Sequence, residues 1–180
     1  MRIAVDEHQL DSALSLLVEA RGALMAPHRH GEVQSFALAL HHAFRALQIV
    51  APIEHPCVRG PIETICGVRR DDHSPLGRLT DTFVAAAETL AVRERAMVSR
   101  AIRYLAAFLG RAISNRRWEV SEKLGEAKGR AAAGESIDVF KTVGEYVAAH
   151  PIDFPDERYA PILDDDDRPD DRRPSSREIF

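Results

Sequence analysis

Apolar residues recur along most of this chain at intervals of three and four, the spacing that lines them up on one face of an α-helix. The first stripe is Leu10, Leu14, Leu17 and Leu24. Asp6 precedes it, placed to accept from backbone N–H groups of the first turn, and Gln9 follows three residues on, as in a capping box. Val5 and Leu10 are spaced for a hydrophobic staple, and Pro27 ends the helix. A second stripe, Val33, Phe36, Leu40, Phe44 and Leu47, predicts a helix from about Glu32 to Val50, stopped by Ala51-Pro52.

The pattern then lapses. Residues 51–74 are punctuated by Pro52, Pro56, Gly60, Pro61 and Gly67, which leaves room for one short helical turn around Ile62 to Cys66. Ser74-Pro75 is a capping hydroxyl followed by proline at the first helical position. Leu76, Leu79, Phe83, Ala86 and Leu90 continue from it, and the register breaks near Val92. Val98, Ala101, Leu105, Leu109 and Ala112 form the next face, as the second half of a bent helix or as a helix of their own. A weaker face, Val120, Leu124 and Ala127 with Trp118 to one side, predicts another helix over Ser114 to Ala133, with Gly134 as its stop. The last helix starts at Ser136, uses Ile137, Phe140, Val143 and Val147, and closes at His150-Pro151. Strand alternation is confined to "RIAV" at the start. The expected fold is an all-α bundle of five to six helices with an irregular central loop.

Composition divides the chain at about residue 150. Residues 153–180 hold ten acids and five arginines, which leaves residues 1–152 with a net charge of +1. The segment 151–180 has five prolines, no helical period and the block Asp164, Asp165, Asp166 and Asp167. It buries too little apolar area to offset its conformational entropy, so it is expected to be a mobile acidic tail behind a 1–150 bundle domain. Its apolar islands, Phe154, Tyr159, Ile162, Leu163, Ile179 and Phe180, are candidates for docking. No run reaches the roughly 20 apolar residues of a membrane span. An acidic start without an apolar run argues against a signal peptide. Two cysteines make no disulfide framework. A cytoplasmic protein without a membrane partner is expected.

The chemistry-bearing residues are few. On a wheel centred on Leu40, His41 falls at roughly 100° and His42 at roughly 200°. His42 is thus expected to face away from the core, framed by Leu38, Arg45, Ala46 and Ile49. "HAFRA" (His42 to Ala46) resembles the phosphoacceptor region of histidine phosphotransfer domains, four-helix bundles that relay phosphoryl groups between aspartates of receiver domains. The resemblance implies His42 as acceptor, Arg45 as the cation stabilising phosphoryl oxygens and Ala46 as the small residue that leaves room for the partner. The family usually has glycine where this chain has Ala46, and the match covers five residues. The plainer reading is that Leu38, His42 and Ile49 cover a second packing surface, an additional helix or a subunit partner.

His55, Cys57, Cys66 and His73 are four nitrogen and sulfur donors of the kind zinc prefers, and His28 and His30 could join His41. The spacing H-x-C-x8-C-x6-H matches no common zinc signature, so no cofactor is expected. From Arg93 to Trp118 there are seven arginines and one acid, Glu94. Arg93, Arg100 and Arg111 fall on one line with Arg103 near it, a line able to grip nucleic-acid phosphates or the acidic tail. The near-neutral body argues against nucleic acid. No nucleophile elbow, His-Glu-x-x-His or apolar acid pair is present. The expectation is a helical protein acting through protein–protein contact, adaptor or regulatory in type, self-association included, with phosphotransfer and nucleic-acid binding as alternatives.

Overall fold

The computed structural model describes residues 6–26, 31–67 and 79–154, and within them the chain is an all-α bundle of six helices with no strand. "RIAV", Val5, Pro27, His28 and His30 lie outside the described residues, as do His73, Ser74-Pro75, Leu76 and the chain from 155 onward.

Helix α1 spans Glu7–Met25. Its capping box forms as the sequence predicts: the Asp6 carboxylate accepts from Gln9 N at 2.7 Å, and Gln9 Oε1 accepts from Asp6 N at 3.2 Å. Helix α2 spans Glu32–Val50, the expected bounds. Gly31 enters it at φ 81°, a conformation open to a residue without Cβ. The two helices form an antiparallel hairpin, and α2 also packs against α3 and α4. It is therefore covered on more than one side. Besides the large-residue stripe it buries Ala39, Ala43, Ala46 and Val50 completely, at i, i+4, i+7 and i+11. Small side chains on such a row let a neighbouring helix approach closely.

Two expectations are corrected. Within the central segment, residues 56–66 form a full helix rather than one short turn: α3 spans Pro56–Cys66. Pro56 opens it at a position where a missing N–H costs nothing. Gly60 lacks the Cβ that would clash with the following Pro61 ring in helical conformation. Burial of Cys57, Val58 and Ile65 holds the helix against its interior proline. Likewise, no break occurs around Ser114. After α4, Leu79–Thr89, a single helix α5 runs Val92–Ala132. Its 41 residues make it about 60 Å long. At its start Glu94 reaches back to the Ala91 N–H at 2.9 Å.

Gly134, at φ 91°, turns the chain as expected. Helix α6 begins later than predicted, at Val139, because the Asp138 carboxylate rather than Ser136 caps it, accepting from Lys141 N at 3.0 Å. The core lies between α1, α2, α3 and the first half of α5, with Leu10, Leu17, Leu40, Ile65, Ile102, Leu105, Phe108 and Leu109 fully buried. Beyond Arg116, α5 buries only Ala127, and α6 buries nothing. The second half of α5 and the antiparallel α6 thus form a two-helix arm projecting from the body.

Candidate interaction surface

The histidine pair lies between helices rather than on an outer face. His42 Nδ1 is 3.0 Å from Glu19 Oε2 on α1, set off the direction of a good hydrogen bond, and the His42 side chain is only 19% exposed. His41 meets Phe83 of α4 edge-on at 5.7 Å and His42 at 5.6 Å. The pair therefore spans α1 and α4 across α2. Burial, then the neighbouring His42 and Arg45, hold His41 below its ordinary pKa. Ala46, which the phosphotransfer resemblance would leave open for a partner, is fully buried. Arg45 is exposed, Leu38 is 40% exposed and Ile49 half-buried. On this side of α2, His42 meets α1 through Glu19.

Of the candidate zinc donors, His55, Cys57 and Cys66 are described, and they do not assemble as a ligand set. His55 caps α3: its Nδ1 accepts from Cys57 N at 3.2 Å, and its ring lies against Phe108 and Phe154 at 5.0 and 5.9 Å. Cys57 is buried at the start of α3 and Cys66 exposed at its end, about 13 Å apart along the axis. Among the described residues no three His, Cys, Asp or Glu side chains group as metal ligands.

The arginines separate by role. Arg93, Arg100 and Arg111 are exposed along α5, with Arg103 half-buried beside them. Arg95 pairs with Glu32 at 3.2 Å, and Arg117 with Glu7 at 3.6 Å and with Asp11. Arg116, unremarked in the sequence, is 3% exposed and holds the base of the arm. Its Nη2 donates to the carbonyls of Val147 at 3.0 Å and His150 at 2.7 Å, where α6 runs out of intrahelical donors. The charge also suits the negative end of the helix dipole. Nη1 lies 3.5 Å from Glu119, and the guanidinium sits 5.7 Å from the Tyr146 ring. No sequence signal separates Arg116 from the six arginines around it, since its burial depends on α6 folding back.

Among the described residues, two open surfaces bear on interaction. One is the arm, where Phe140 is 82% exposed, Trp118 66% and Val147 40%. The other is an open groove of about 620 Å³ between α3 and α5, lined by Pro56, Gly60, Pro61, Met97, Arg100 and Tyr104 among others. Asp164 to Asp167 lie outside the described residues. No helix among the described residues is long and apolar enough to cross a membrane. Comparison with protein-family models, with characterised proteins and with solved structures finds no match to this chain.

Proposed function

We propose that this is a helical interaction protein, adaptor or regulatory in type, that pairs with a second copy of itself through the α5–α6 arm. The observation that carries the reading is Phe140, a large apolar side chain 82% in water on a helix that buries none of its own residues. A two-helix hairpin has no third element to cover its apolar side, and two hairpins packed together close into a four-helix bundle. Twofold pairing brings the same patch of each copy together. The arm from residue 117 to 149 carries five basic and six acidic side chains, so two arms meet without net repulsion. Two cysteines make no disulfide framework, which is in keeping with a reducing, cytoplasmic setting.

Sedimentation across the micromolar range tests the reading. The native chain is expected as a dimer, and a Phe140→Asp, Trp118→Glu double variant as a monomer with unchanged helical circular dichroism. A native chain that stays monomeric throughout that range rules the reading out.

A further inference from the structure

The groove between α3 and α5 lies in the path of the chain itself. The peptide leaving α6 is pinned at His150, whose carbonyl accepts from Arg116. Four residues later Phe154 stacks on Phe108 of α5, ring centroids 6.0 Å apart and planes within 8°, beside His55. Ile152 also packs against the core. From Arg116 to Phe108 is about 12 Å along α5, and four extended residues span about 13 Å. The chain is thus nearly extended here and runs antiparallel to α5. One turn further on, Tyr104 is stacked on Phe108 at 6.5 Å and forms the near wall of the groove. His55 adjoins Pro56, which lines the other wall.

We propose that the segment from Pro155 to Leu163, "PDERYAPIL", continues along this path and occupies the groove of its own chain, independently of any pairing through the arm. At the pitch set between His150 and Phe154, Arg158 falls level with Arg100, about 12 Å beyond Phe108, and Glu157 precedes it by about 3 Å, within reach of the guanidinium. Arg100 is exposed and pairs with no carboxylate among the described residues. Tyr159, up to about 17 Å beyond Phe154, arrives at Met97, whose side chain is half in water. Opposite, Gly60 offers no Cβ, and the space a Cβ would enter is open, so an incoming side chain has room against Pro61. At the same pitch Arg93, about 22 Å beyond Phe108, falls level with Ala160 and Pro161, and Ile162 and Leu163 pass the start of α5. Glu157 is thus within reach of the groove's cation, and Tyr159 meets its proline and methionine walls.

A photo-crosslinking residue, p-benzoylphenylalanine, placed at Met97 in the full chain tests this. An equal mixture of ¹⁴N- and ¹⁵N-labelled protein separates contacts within a chain from contacts between chains. Crosslinked peptides are expected from residues 155–163, joined within one isotope. Their yield is expected to fall at least several-fold in the Tyr159→Asp variant and in the Asp156→Lys, Glu157→Lys double variant. These changes lie outside the packed helices, so they leave the body folded. A Phe140→Asp background should leave the yield unchanged. No crosslink to 155–163, crosslinks only between isotopes, or a yield indifferent to both sets of variants overturns the proposal.

Discussion

His41 and Arg116 are both constrained by the helices packed against them, His41 through burial and Arg116 through the carbonyls it holds. Desolvation is the largest cause lowering the His41 pKa, followed by His42 and Arg45. The folded state therefore binds this proton less readily than the unfolded chain. Stability attributable to His41 is fully present above the unfolded value of about 6.5 and is lost as pH falls through the lower folded value. Urea midpoints are expected to drop as pH is lowered from 6.5, with a shallower slope in His41→Gln over the same window. An equal slope in the two proteins would show that other groups control acid sensitivity. Arg116→Met removes two donors from the carbonyls closing α6 while keeping much of the side-chain volume. A loss of about 2–3 kcal/mol is expected, read as faster amide exchange in Val139–Ala149 before any loosening of α1 or α2. The Asp6–Gln9 cap was legible because all its partners lie within four residues. His42 was misplaced because a wheel centred on Leu40 assumes one covering neighbour, and α2 has several.

At the scale of elements, the errors at α3 and α5 have one source. The spacing Val58, Ile62, Ile65 is helical, but Pro56, Gly60 and Pro61 are local breakers that mask it in the sequence. Proline disfavours a helix interior by about 3 kcal/mol, a penalty that buried side chains on the same helix can offset. In α5 the apolar stripe weakens after Ala112 because the helix leaves the body, not because it ends. Hydrophobic periodicity reports where a helix has neighbours and is silent where it stands in water. Gly125 and Gly129 fall in that exposed stretch, and a Cβ at either meets nothing within 4 Å. Gly125→Ala and Gly129→Ala are each expected to stabilise the arm by about 0.5–1 kcal/mol through helix propensity alone. Slower amide exchange over residues 117–132 checks this; unchanged or faster exchange would mean that the glycines serve a contact made across the arm.

For the whole molecule, the division into a packed body and a projecting arm governs how stability responds to concentration. Anything that binds only the folded chain raises its apparent stability by mass action. Under the pairing proposed here, the thermal midpoint rises with protein concentration, and Phe140→Asp removes the dependence. A midpoint independent of concentration in the native chain would separate the arm from self-association. The boundary between bundle and tail, set from composition near residue 150, needs a finer placement. Pro151 to Phe154 follow the body, because Phe154 finds Phe108 and His55 at a place no local pattern marks.

What this sequence settled alone was the helical class, the bounds of α2, the cap of α1 and the turn at Gly134, since each depends on residues within a turn or two of one another. Tertiary structure decided the rest. It set which sides of α2 are covered, kept α5 whole through Ser114, drew Arg116 into a buried contact and left Phe140 in water. Those outcomes depend on which elements meet, and the free energy of burial belongs to the pair of surfaces rather than to either stretch of chain.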